Sequence, residues 1–112
     1  MQNPEYLLMS YGMLKVQLNN CKLNLFQKRN KGEEISHLEE EIEQIMLKIK
    51  LIDSCLDVLT EQEREIVKRR YMQRETVQNI SNDMGLTRRT IYVKCSYSLE
   101  KIQKAITRKE HT

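Results

Sequence analysis

Four consecutive residues, Thr87-Arg88-Arg89-Thr90, set two guanidiniums between two hydroxyls. They lie in the stretch GLTRRTIYVKC (85–95), where a glycine, an apolar residue and a hydroxyl precede the arginine pair and a mostly apolar run follows it. A hydroxyl ahead of an apolar-periodic run is an N-cap signal, so both guanidiniums fall in the first turn of a helix. The free amides of a helix start carry partial positive charge, so that turn prefers carboxylates to cations. An arginine pair there is mildly unfavourable as structure and useful against an anion. Its forks suit guanine O6 and N7, or phosphate. The plainer alternative is a solvated first turn that touches nothing.

Other chemistries lack their residues. There is no Ser/His/Asp or Cys/His set and no phosphate-cradling glycine loop. His37 and His111 have no partner nearby, and Cys21, Cys55 and Cys95 are widely separated with no metal-ligand spacing. They read as buried thiols of a reducing cytosol. The acidic run Glu39-Glu40-Glu41 with Glu43 is the outward face of a helix. No enzymatic activity, cofactor or metal is therefore expected. Neither an export signal nor a membrane-length apolar run is present, which points to a soluble protein of the cytoplasm.

Charge separates the two halves of the chain. Of 112 residues, 31% are charged and the net charge is +3. Residues 1–59 hold 7 Lys/Arg against 9 Asp/Glu, whereas residues 60–112 hold 12 against 7. Only the second half is suited to a polyanion. With three Gly, one Pro and no Trp, the composition fits long helices with short connections and not a β-rich fold.

Apolar periodicity defines the elements that must position the arginines. Leu7, Tyr11, Leu14, Leu18, Cys21 and Leu25 form a heptad-like stripe on a helix over about residues 4–28, with Asn3 as N-cap and Pro4 in its first turn. Gly12 inside it allows either a close helix crossing or a break. After QKRNKGEE, where Gly32 suits a left-handed turn, a second stripe runs through Ile35, Leu38, Ile42, Ile45, Ile49, Ile52, Leu56 and Leu59. Two such helices on a short loop should form an antiparallel, coiled-coil-like hairpin over residues 1–58. Met9, Met13, Val16 and Leu23, with Leu47, Leu51 and Val58, then remain to be covered. A second copy of the chain, or the hairpin's own C-terminal domain, could cover them.

Residues 59–112 open with a capping box, Thr60-Glu61-Gln62-Glu63, and a helix expected to reach about Arg74. Next comes TVQNISNDMGLTRRTIYVK (76–94), in which Val77, Ile80 and Met84 can face inward and the small Ser81 can sit at a helix crossing. Gly85 can turn with positive φ, Leu86 can plug, Thr87 can cap and Ile91 can anchor the next helix. These requirements together define a helix-turn-helix. The final helix carries Ile91, Cys95, Leu99, Ile102 and Ile106 inward to about Arg108.

The run LDVLTEQEREIVKRRYMQRETVQNISNDMGLTRRTIYVKCSYSLEKIQKAI resembles domain 4 of the sigma-70 family, over about half of the chain. It shares the leucine pair, Glu63-Arg64, Arg70-Tyr71, the helix-turn-helix and the SLEKI ending. Nothing resembles the sigma region that melts DNA. Asn79 and Ser81 also replace the family's usual acidic residue and alanine. In size and layout the chain is similar to the small phage regulators of the ArpU/RinA type.

The resemblance implies an all-α, sequence-specific DNA-binding transcription regulator, encoded by a phage or prophage, that reads the major groove with the helix starting at Thr87. The implied contacts are Thr76, Thr87, Arg88, Arg89, Thr90, Tyr92, Val93 and Lys94, with Ser96 at the edge and Arg74 and Lys101 on the backbone. Lys68, Arg69 and Arg70 read as a solvated face, or, as the resemblance implies, as an unassigned phosphate or polymerase contact. Expected partners are double-stranded DNA, RNA polymerase and a second copy joined through the hairpin. The competing reading is an adaptor that docks on RNA polymerase or a sigma factor with little DNA affinity.

Overall fold

Every residue described by the computed structural model, 3–110, lies in a helix or in a short connection between helices. His111 falls outside that range. The elements are α1 (Pro4–Met9), α2 (Tyr11–Asn30), α3 (Ser36–Leu56), α4 (Glu61–Val67) continuing as a π-turn (Lys68–Met72), α5 (Val77–Met84) and α6 (Arg88–Glu110). The fold is all-α: an N-terminal antiparallel hairpin followed by a helix-turn-helix.

The single first helix expected from the heptad stripe is two helices. Asn3 caps α1 by accepting from the amides of Glu5 and Tyr6 at 2.9 and 3.2 Å. The chain then breaks at Ser10, whose hydroxyl donates to the Leu7 carbonyl at 2.7 Å. A serine hydroxyl bound to a preceding carbonyl competes with the helical ladder and bends it. The break sends α1 onto the π-turn and α6, while α2 continues along α3. Leu7 and Leu8 are buried as a result. Gly12 lies two residues past the break, and a Cβ there would meet nothing within 4 Å. No crossing among the described residues requires it, although glycine costs about 1 kcal/mol against alanine in a helix.

Cross-helix contacts set the direction of the hairpin. The Tyr11 hydroxyl donates to Asp53 at 3.1 Å near one end, and Arg29 pairs with Glu39 at 3.1 Å near the other. Between them Leu14, Cys21, Ile42, Ile45, Ile52 and Leu56 are buried along the two stripes. Gly32, at φ +71°, reverses the chain after α2. Its amide and that of Glu33 return to the carbonyls of Arg29 and Lys28, satisfying the helix end.

The C-terminal half is seated through one carboxylate. Glu63 accepts from the Thr60 amide at 2.9 Å, while the Thr60 hydroxyl accepts from the Glu63 amide at 3.2 Å, completing the capping box. The same carboxylate accepts from Lys101 Nζ at 2.8 and 3.0 Å, which ties the start of α4 to the second half of α6. Arg64 donates to the carbonyls of Leu56 and Leu59, so the end of α3 and the start of α4 are closed together. One continuous core joins Leu8 and Ile52 to Ile66, Val67, Ile80, Ile91, Ile102 and Ile106. The hairpin therefore does pack on the rest of its own chain, through α1 and the contact of α3 with α6. Met13, Val16, Leu23, Leu47 and Val58 nevertheless stay exposed.

The helix expected to reach Arg74 changes pitch at Lys68. The Gln73 amide bonds the Lys68 carbonyl at 2.9 Å and the Glu75 amide bonds the Arg69 carbonyl at 2.8 Å, both spans wider than an α-helix allows. The turn leaves Tyr71 buried and ends at Arg74, whose φ of +56° lies in the left-handed region.

The Lys101 ammonium and the Thr60 amide hold the Glu63 carboxyl below the usual carboxylate range. A depressed folded-state pKa adds stability above the unfolded-state value, about 4.3, and that stability is lost as pH falls through the folded value. Replacing Glu63 with Gln should lower unfolding stability at neutral pH by about 1–2 kcal/mol. It should also flatten the loss between neutral and acidic pH. Urea denaturation at the two pH values checks both.

Candidate nucleic-acid interface

The arginine pair is positioned by α5 and the turn after it. Thr76 caps α5, its hydroxyl accepting from the Asn79 amide at 3.1 Å. Val77 and Ile80 bury one side of α5, and Met84 is half-buried beside them. Gly85 then takes φ +66°, and its amide and that of Leu86 both return to the Ser81 carbonyl. Ser81 has a second task that alanine could not perform: its hydroxyl donates to the Leu86 carbonyl. One residue thus fastens the turn from both its backbone and its side chain.

Thr87 restarts the helix. Its hydroxyl accepts from the Thr90 amide at 3.1 Å and lies 2.8 Å from the Thr90 hydroxyl, while its carbonyl accepts from the Ile91 amide. Ile91 is fully buried and fixes the rotation of α6. That rotation turns Arg88, Arg89, Tyr92, Val93 and Ser96 to solvent, with Thr90 and Lys94 half-buried at the sides. Among the described residues neither arginine forms an ion pair. Tyr92 is 55% exposed and so does not pack on a neighbouring helix. Tyr97, 61% exposed, extends the same face by one turn. Its spacing of four from Val93 marks it as an outward residue, yet it is absent from the contacts expected above.

Two basic residues read as contacts or as solvated surface are paired with carboxylates of the chain. Lys101 is bound to Glu63, with its side chain still 43% exposed. Arg69 is not solvated: its guanidinium grips Glu75 in a fork at 2.8 and 2.9 Å and reaches Asp83 at 2.5 Å. This clamp joins the π-turn to both ends of α5, and it holds the Glu75 carboxyl below its usual range. The sequence offers no sign of it, because a pair six residues apart falls outside helical spacing. Arg70 is half-buried with its guanidinium 6.0 Å from the Tyr71 ring. Lys68 and Arg74 remain exposed. Beneath them burial pushes the Tyr71 phenol and the Cys95 thiol up, keeping both neutral in the core behind α6.

The architecture is a rigid two-helix frame that offers a helix start bearing two unpaired guanidiniums and an amphipathic outer face. Residues 55–104 match the family model of sigma-70, region 4. Region 4 is a DNA-binding helix-turn-helix of transcription, and the match supports that general class for this segment. It spans the end of α3 through most of α6 and leaves out α1 and α2. No curated protein and no solved structure matches the chain. Among the described residues no helix is long and apolar enough to cross a membrane.

Two substitutions test the frame. Gly85→Ala should cost about 1–2 kcal/mol, because a Cβ is strained at positive φ even where space is open. Arg69→Met leaves Glu75 without its partner and should cost about 1–3 kcal/mol. The neighbouring Lys68→Ala should change stability by no more than about 0.5 kcal/mol. Thermal melts of the three variants give the ranking.

Proposed function

We propose that this chain is a sequence-specific DNA-binding transcription regulator of phage or prophage origin, acting in the bacterial cytoplasm. Residues 59–112 are the DNA-binding unit, and residues 1–58 are a hairpin for dimerisation or partner binding. The observation that carries the reading is the exposed start of α6 on a clamped helix-turn-helix. Arg88 and Arg89 reach guanine edges or phosphates in the major groove, and Tyr92 and Val93 offer apolar contact one turn further in. The caps Thr76 and Thr87 present hydroxyls and helix amides to flanking phosphates, with Thr90 and Lys94 beside them. Arg74, exposed on its left-handed backbone, supplies a backbone contact. RNA polymerase is a further partner, on the strength of the region 4 match.

A second reading draws on the apolar character of Val93 and Tyr97 on that face. It makes the region 4 segment an adaptor that docks on RNA polymerase or a sigma factor with little DNA affinity of its own.

Selection of bound duplexes from a random pool, followed by anisotropy titrations, tests the first reading. Affinity for the selected site should fall steeply with salt, with a log–log slope near −0.9 per neutralised phosphate. Arg88→Ala or Arg89→Ala should cost about 1–3 kcal/mol and relax preference at one base position. Equal binding to all duplexes by wild type and variants would sink base readout. Capture of RNA polymerase with no duplex bound would install the adaptor.

A further inference from the structure

α2 is apolar on two sides, and the chain covers only one of them. The inner side carries Leu14, Leu18, Cys21 and Leu25 against α3. Opposite it, Met9, Met13, Val16, Asn20 and Leu23 repeat at spacings of 4, 3, 4 and 3, a second heptad seam that continues past the break at Ser10. Met13, Val16 and Leu23 on this seam are 65%, 57% and 56% exposed. At its N-terminal end Met9, Met13 and Val16 border an open groove of about 500 Å³ that reaches Met72 and Arg74.

The charge pattern narrows what can lie there. Residues 6–27 contain no acidic residue, and their only charges are Lys15 and Lys22, in a chain that is 31% charged. Both lysines fall outside the second seam, and Lys15 turns to the Tyr11 ring, 4.9 Å from its centroid. The positions flanking the seam are Ser10, Gln17 and Asn24 on one side and Gly12, Asn19 and the exposed Phe26 on the other. The outward side of α3 is different, because Glu40, Glu43, Lys48 and Lys50 interrupt its exposed Met46 and Leu47. A charged partner would find no complement on α2. A second α2 would: methionine and leucine meet their like, amides can pair across a two-fold axis, and Asn20 supplies the single polar core position that fixes register in helix pairs. Gly12, whose Cβ would meet nothing within 4 Å among the described residues, allows the two backbones to approach.

We infer that a second copy of this chain occupies the uncharged side of α2, pairing α2 with α2 about a two-fold axis. This deepens the two-copy reading given above and rests on it. It also assigns the seam to α2 alone, leaving the exposed Leu47 of α3 outside it.

Sedimentation velocity and light scattering of the full chain over a range of concentrations test the inference. Wild type should show twice the 13.4 kDa chain mass. Val16→Arg and Leu23→Arg each place a guanidinium on a face with no acid to pair it, and should raise the dimer Kd by at least about 100-fold. Both residues are exposed in the single chain, so circular dichroism should be unchanged. Leu47→Arg should leave the dimer intact. As a second measurement, Val16→Cys should cross-link to its copy with a short bis-maleimide, while Leu47→Cys should not. A dimer that survives both arginine substitutions, or one broken by Leu47→Arg alone, would overturn the α2 seam and leave the two-copy reading standing. A wild type that stays monomeric at every concentration would overturn both.

Discussion

The aim of α6 depends on a carboxylate that sits almost out of water. Glu63 starts α4 through the Thr60 capping box and at the same time receives the Lys101 ammonium from two-thirds of the way along the chain's longest helix. Burying a charge is costly unless its lone pairs are used. Here the Thr60 amide and the ammonium use them, so the side chain has little freedom to relocate. The C-terminal half of α6 is pinned by this contact and its N-terminal half by Ile91 under the turn. With both ends fixed, Arg88, Arg89, Tyr92 and Val93 share one face by necessity.

Much of this was legible in the residues and some of it was not, for reasons that differ by element. Gly85, Thr87 and Ile91 each have a local conformational requirement that only a few residue types meet, so the turn and the second helix could be read directly. The seam of α2 on α3 was equally plain, because Leu14, Cys21, Ile42 and Ile52 repeat with the helical period. Arg69 could not be placed, since its partners Glu75 and Asp83 come within reach only after the π-turn has widened the helix. The π-turn itself has no proline or glycine to announce it. The break at Ser10 was half legible: Gly12 allowed one nearby, but the heptad stripe runs through it, and a hydroxyl bonding a carbonyl three residues back leaves no periodic trace.

The same chain uses its basic residues in two ways, and a carboxylate partner separates them. Lys101 and Arg69 face carboxylates and hold elements together, whereas Arg88, Arg89, Lys68 and Arg74 face solvent. The excess of Lys/Arg in the second half therefore overstates the charge available to a polyanion. What is available is gathered near the start of α6 and at the end of the π-turn. The Arg69 clamp in turn engages two acids, Glu75 and Asp83, that flank α5.

α6 is a single rod of 23 residues, about 34 Å at 1.5 Å per residue. Its first turns expose the arginines on one side and bury Ile91 on the other, and the helix packs on α1, α3, α4 and α5. A rod seated along its length transmits position rather than bending, so whatever shifts one of its supports shifts the whole of it. The hairpin is one of those supports, through α1 and α3. The arginine pair and the hairpin are therefore mounted on one continuous element.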